Sequence, residues 1–472
     1  MELRVTWLSA EKLSLALLSV AAFASTFFWR EPLLHASGWL LGFISFYTFF
    51  YVEKRPLHYT ILYLTTTIGV VLFAIAEDKI AVFAGWELVS VAGWGLIAST
   101  RGMTTRALEA AAWTFLTNRV GDIFWLAGVM SEGQFPEGTW IAVWVKSGAF
   151  PFSFWLIQAM YAPAPVSALL HSALLVGMGL YLPVRHPEWM GHPPPALIQS
   201  IAWGSASAAV IGALMARPPK AILAWTTASH LGMGFALWAA PQTLSDYLFH
   251  HSYLKAALFL LAGILQRGWL PFAIGAGVWS IAALALLGAA PKINAFFWIP
   301  ELISIVALGR ALSRLQGGLR LSWQGWLLLL PPVGLIALAL PKPTIDILIG
   351  IGALSVGIYL GKWNYRWRID TLIVRPILTS ARFTDKISIL VARMEEDLSH
   401  SLKQNRYILR QYARILALLE RVWIPWGWVT NLRHMRVIVA ELAHPSPALY
   451  AQMLHWGVLI TLLLAVVWRF LR

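Results

Sequence analysis

At 472 residues, with a net charge of +14 and 58% hydrophobic against 12% charged residues, the chain holds far more apolar sequence than a soluble protein of this size can bury. A mean hydropathy of +0.66 excludes a soluble globular protein and points to a polytopic membrane protein. The absence of cysteine excludes disulfides, thiolate-bound metals and iron–sulfur clusters, so no cofactor is expected in this chain.

A membrane-crossing helix needs about 20 mainly apolar residues. Such stretches occur near 13–29, 38–52, 59–76, 79–98, 110–130, 141–160, 164–183, 198–216, 221–239, 244–266, 272–290, 293–313, 324–341, 344–361 and 451–471. Two or three of these are short, which predicts about 14 transmembrane helices. The strands of a membrane barrel would alternate apolar and polar residues. Runs such as Leu327-Leu328-Leu329-Leu330 do not, so the fold class is an all-α polytopic membrane protein. Glu11 and Lys12 precede the first apolar core and no small-residue cleavage site follows it, which predicts a retained span rather than a removed signal peptide. The 26 tryptophans are expected at the membrane interface, where indoles concentrate.

Ionisable residues inside apolar sequence carry the functional signal, because a charge at membrane depth costs at least a few kcal/mol unless it faces a wet or paired interior. Glu87 lies in Trp86-Glu87-Leu88, within an uncharged run, and is expected to pair with a lysine. Arg119 and Asp122 are three apart on one helical face and can satisfy each other, as a structural ion pair or as part of a relay. Lys146 precedes Gly148-Ala149-Phe150-Pro151, a pattern that predicts a broken helix of the kind that lines ion cavities. A second interruption, Ala162-Pro163-Ala164-Pro165-Val166-Ser167, leads into His171, which alone would read as a core histidine but here follows a broken helix and a lysine.

Lys220 opens the next apolar segment, where it either snorkels to the interface or joins the same row. His251 and Lys255 are four apart and face the same way, and Asp246 with His250 makes a second such pair. No further ligand stands at metal-binding spacing around them, so proton exchange is the better use of a stacked His and Lys.

Beyond residue 362 the character changes. Between Tyr365 and Arg436 stand 13 Lys or Arg against 6 Asp or Glu, half of the chain's net charge in under a sixth of its length. From Thr371 to Val422 there is one proline and no glycine, while Ile373, Ile377, Ile387, Val391, Met394, Leu398 and Leu402 recur at helical spacing. A helix of that length extends about 75 Å, enough to lie along the membrane past neighbouring subunits. Lying between two spans and lacking a binding motif, it is not expected to bind nucleic acid. The expected organisation is a transmembrane bundle over 1–362, an amphipathic lateral helix (371–422) with its connecting segment over 363–447, and a terminal anchor over 448–472. By the positive-inside tendency the basic stretch lies on the cytoplasmic side.

The phrases Phe83-Ala84-Gly85-Trp86-Glu87-Leu88-Val89, Asn118 to Asp122, Pro163-Ala164-Pro165-Val166-Ser167-Ala168-Leu169-Leu170-His171, Lys220 to Phe235, and His251 to Phe259 resemble the antiporter-like proton-translocating family. Its members include chain L of bacterial complex I, membrane-bound hydrogenase subunits and the Mrp sodium/proton antiporters. The resemblance implies that Glu87 and Lys146 form a carboxylate–lysine pair whose separation changes the lysine's proton affinity, with His171, Lys220, His251 and Lys255 along a central hydrophilic axis. It also implies neighbouring membrane subunits, contacted in part by the lateral helix, a bacterial inner-membrane location, and a part in a proton-pumping NADH-quinone or hydrogenase-type assembly.

Three departures stand out. The start and the Ser131–Val145 region are compressed. Ile299 occupies the position where relatives place an exit lysine or glutamate, leaving Glu301 and Lys292 as out-of-register substitutes. His230 stands where relatives generally carry glutamine. The motifs also resemble the smaller membrane subunit of two-component inorganic-carbon accumulation systems, and an Mrp-type antiporter or a transport-inactive scaffold are further readings.

Overall fold

The computed structural model describes residues 10–362 apart from 53–55, 99–104, 132–134, 291–297, 319–322 and 341–345. The lateral helix expected over 371–422, the anchor over 448–472 and Lys292 lie outside the described residues. Among the described residues the chain is helical, and the only β-type contact is an isolated bridge between Pro271 and Gly318. Among the described residues seven helical stretches are long and apolar enough to cross a membrane, and Lys12–Ser25, Trp323–Ala339 and Ile349–Gly361 are shorter apolar helices.

Helices α1 (Ala10–Ser25), α2 (Pro32–Tyr51) and α3 (Pro56–Ile75) pack on one another. The start of α2 is fixed by Glu31, whose carboxylate accepts from the Leu34 amide at 2.7 Å and from the Tyr181 hydroxyl at 2.7 Å. One side chain thereby satisfies an orphan helix N–H and ties the turn to a distant helix. Helix α4 (Lys79–Ala98) crosses α3 in direct backbone contact. A Cβ added at Gly85 would lie 2.5 Å from the Phe73 nitrogen, so only glycine permits this approach, which sets the position of Trp86 and Glu87. Helix α5 (Thr105–Met130) then packs against both α4 and α6 (Glu137–Lys146).

The stretch expected as one span over 141–160 is two pieces. Helix α6 ends at Lys146, Gly148 takes a left-handed φ of 61° just beyond it, and α7 (Ser153–Gln158) begins afresh after Pro151. This is the helix stop that glycine favours, with a proline following it. The next span is broken as well. Pro163 and Pro165 stand at the start of α8 (Ala164–His171), where a missing N–H costs nothing, and the backbone opens to an extended conformation at Ser172. A π-helical turn (Ala173–Gly177) and α9 (Met178–Arg185) complete the crossing. The interruption near His171 therefore falls after it as well as before it.

Helices α10 (Pro195–Met215) and α11 (Pro219–Phe235) form a tight hairpin. Helix α12 (Pro241–Gln266) is the centre of the bundle: it packs against α8, α9, α11, α13 (Phe272–Ala289) and α15 (Trp323–Ala339), and every residue from His251 to Leu265 is buried. A helix covered on all sides holds its polar residues against protein rather than lipid. Helix α14 (Trp298–Ser313) packs on α11 and on α16 (Asp346–Lys362). Tryptophan does not keep to the rim, since Trp86, Trp125, Trp155 and Trp279 are fully buried.

Candidate functional site

The first group of charges lies where α4, α5 and α6 meet. Glu87 forms an ion pair with Arg119, which also reaches Asp122 at 2.8 Å. Lys146 is 1% exposed and donates to the Ser90 hydroxyl and, at 3.4 Å, to the Trp86 carbonyl. Among the described residues no ion pair joins Glu87 to Lys146, contrary to the pairing that the family resemblance implies. The guanidinium offers a forked donor set to two carboxylates, whereas the lysine presents a single ammonium, so in this arrangement the arginine holds the acid.

Trp86 is the residue that sequence reasoning missed. Its indole N–H donates to Asp122 at 2.6 Å, and the Lys146 ammonium lies 4.5 Å from its ring centroid. One aromatic side chain thus connects the acidic end of the cluster to the basic end. Phe73 and Trp125 flank it, with ring centroids 6.2 and 5.1 Å away. With two carboxylates, one guanidinium and one ammonium, the group is electrically balanced, which is how four ionisable side chains are tolerated at this depth.

The second group is formed by α8, α11, α12 and α14. His171 is fully buried at the end of α8, its ring tilted against Phe259 with centroids 4.7 Å apart. Its ring nitrogens make no well-aligned hydrogen bond; they face the Leu156 backbone, and Lys255, Lys220 and His251 are the charged or titratable groups around it. Lys255 is fully buried and donates to the Thr226 hydroxyl at 2.6 Å. His251, one turn earlier on α12, meets His230 of α11 edge-on with ring centroids 5.4 Å apart. His230 in turn lies 3.0 Å from the Glu301 carboxylate, and both side chains are buried.

His230, one of the three departures noted from sequence, therefore touches Glu301, an out-of-register substitute for the residue missing at Ile299. Ile299 is 56% exposed, whereas Glu301, two residues on and about 200° around the helix, points inward.

Lys220 does not snorkel outward. It turns in from the start of α11 and donates to the Met160 carbonyl at 3.0 Å and to the Ala162 carbonyl, so a cation covers carbonyls freed where the broken helix ends. His250 bonds through Nδ1 to the Asp246 backbone carbonyl at 2.8 Å, which makes that pair local helix chemistry and not an acid–base couple.

Residues 139–302 match the family model described as NADH:quinone oxidoreductase/Mrp antiporter, transmembrane. This central module belongs to that family. The matched range contains Lys146, His171, Lys220, His230, His251, Lys255 and Glu301, while Glu87, Arg119 and Asp122 precede it.

The chain is also 33% identical over 293 residues to NADH-quinone oxidoreductase subunit L of Campylobacter jejuni, covering 52% of this chain and 49% of that one. It is 34% identical over 253 residues to the chloroplastic NAD(P)H-quinone oxidoreductase subunit 5 of Mesostigma viride, covering 45% and 37%. The homology is distant and extends over about half the chain, which spans less than half the length of these relatives. Among solved structures, the fold is similar to a chain of an archaeal membrane-bound sulfane sulfur reductase, at a TM-score of 0.51 and 17% identity, covering 75% of this chain and 88% of that one. These relatives are named as subunits or parts of multi-subunit membrane complexes.

Proposed function

We propose that this chain is the proton-translocating membrane subunit of a complex-I-like assembly, of the NADH-quinone oxidoreductase or membrane-hydrogenase type, in a bacterial inner membrane. The observation that carries the reading is the row of buried titratable side chains, Lys146, His171, His251 and Lys255, held on helices broken beside two of them. Burial of so many ionisable groups gives no stability advantage over apolar packing; a path for charge is the function that accounts for it. The homology to subunits of quinone oxidoreductases supports the type of assembly.

In this proposal Glu87 has two partners. Held by Arg119, it leaves Lys146 to Ser90; released toward Lys146, it changes that lysine's proton affinity. Two opposite charges 4 Å apart interact by about 4 kcal/mol at an effective dielectric near 20, roughly a thousandfold in proton affinity. The proton exchanged at Lys146 Nζ would pass to His171, a ring free to accept it, and on to Lys255, while Lys220 would hold the broken helix in register. No covalent bond is made or broken in the chain. The bundle would comprise about 14 spans, and the amphipathic stretch over 371–422 would lie along neighbouring subunits, followed by the anchor over 448–472.

Purification of the full chain with its native partners in mild detergent tests the assembly type. Quinone-reducing or hydrogenase-like subunits are the expected companions. A single large zinc protein in their place would overturn this reading in favour of inorganic-carbon accumulation.

A further inference from the structure

We infer that His230 and Glu301 together form the proton-releasing end of the relay, taking over at a new position the part that Ile299 cannot play. The inference rests on the proton-translocation reading above and extends it to two residues on different helices. Glu301 of α14 lies 3.0 Å from His230 Nε2 of α11, and both side chains are at least 98% buried. The two atoms are in contact but not aligned as a hydrogen bond, so a small rotation of the ring or the carboxyl group brings the proton onto the line between them, after which the couple exists as two neutral groups or as an ion pair. A path leads to it. His230 meets His251 at a centroid distance of 5.4 Å, His251 stands one turn from Lys255 on α12, and Lys255 is the charged group that faces Glu301.

The couple is also held in place by its surroundings. The Tyr247 hydroxyl donates to the His230 carbonyl at 2.9 Å, fixing α11 against α12 at this level, and Tyr247 is the other titratable group near Glu301. A purely structural role is the weaker account, because a buried acid–base pair is often no more stabilising than an apolar pair of the same volume. The outward position of Ile299 adds to this. A basic residue there would face away from the buried cluster, whereas Glu301 sits on the face that meets α11. A proton arriving at His251 therefore passes to His230, and from its Nε2 to the Glu301 carboxylate, which releases it when α14 and its neighbours admit water.

The test compares Glu301→Gln, Glu301→Asp, His230→Gln and Lys146→Ala in the full complex, in sealed membrane vesicles, with assembly followed on native gels. Proton uptake per turnover and the infrared difference band of a buried carboxyl are measured together. The proposal expects Glu301→Gln to assemble, to lose proton uptake at least tenfold and to lose the carboxyl band. Glu301→Asp should retain a substantial part of both, and His230→Gln should shift the band. Full uptake in Glu301→Gln alongside a dead Lys146→Ala overturns this inference and leaves the proposed function standing. Full uptake in both variants overturns the proposed function itself.

Discussion

Lys146 rests against the face of Trp86, and the same indole donates its N–H to Asp122, so the tryptophan spans the gap between the cluster's cation and its acid. Trp86→Phe keeps an aromatic face for the ammonium but removes a hydrogen bond to a charged group, a loss of about 1.5–3 kcal/mol. Trp86→Leu also removes the cation–π contact, about 0.5–2 kcal/mol more. Thermal inactivation of the purified complex should follow the order wild type, Trp86→Phe, Trp86→Leu. An unchanged Trp86→Phe variant would remove the tryptophan from this account.

Arg119 binds both Glu87 and Asp122, and its removal leaves two carboxylates facing each other near Lys146. Arg119→Gln should destabilise by about 3 kcal/mol, the low end for breaking a buried pair, since the guanidinium is partly exposed. Adding Glu87→Gln removes one of the stranded acids and should recover part of that loss. A double-mutant cycle read by denaturant unfolding is expected to give a coupling of at least about 1 kcal/mol; simple additivity would mean that the two side chains act independently.

Outside the spans, His186 carries a pH dependence. Its ring stacks on Trp189 at 3.7 Å, Glu188 lies 3.0 Å from its Nδ1, and Arg185 and Glu77 are the other charges facing it. Burial holds its pKa below the ordinary histidine value, with Glu188 opposing. The folded turn therefore keeps a neutral ring while the unfolded chain takes up the proton, so stability rises with pH across the interval between the folded value and about 6.5. It is fully present above that interval and is lost as pH falls through it. Hydrogen exchange at the amides of Glu188, Trp189 and Met190, corrected for the intrinsic rate, should show more opening at about pH 5.5 than at about pH 7.5. His186→Gln should remove the difference, and its persistence would assign the effect to another group.

Much of the architecture was readable from residue order alone. Continuous apolar runs required helices, and Gly148 with Pro151 marked the stop after Lys146 because their backbone preferences act locally. The partners of the charges were not readable in the same way. Whether Glu87 meets Arg119 or Lys146 depends on which side chain the packing of α4 against α5 and α6 brings nearer, a matter of tertiary contact rather than of spacing along one helix. Trp86 was hidden by composition, since one tryptophan among 26 reads as an interface residue until its indole is seen against Asp122. His230 and Glu301 are far apart in sequence, one read as an unusual residue and the other as an out-of-register substitute for an exit group; only the packing of α11 on α14 makes them a pair. Lys220 was ambiguous for a similar reason, because the interruption at 162–167 is visible in the sequence but the packing that brings Lys220 onto its carbonyls is not.

The central claim is that buried titratable side chains carry protons through the chain, and proton uptake by sealed vesicles containing the assembled complex tests it most directly. With the driving reaction running, Lys146→Ala and Glu87→Gln should each assemble normally and reduce uptake at least tenfold. Wild-type uptake in both variants, with assembly intact, would contradict the claim and leave the chain a scaffold.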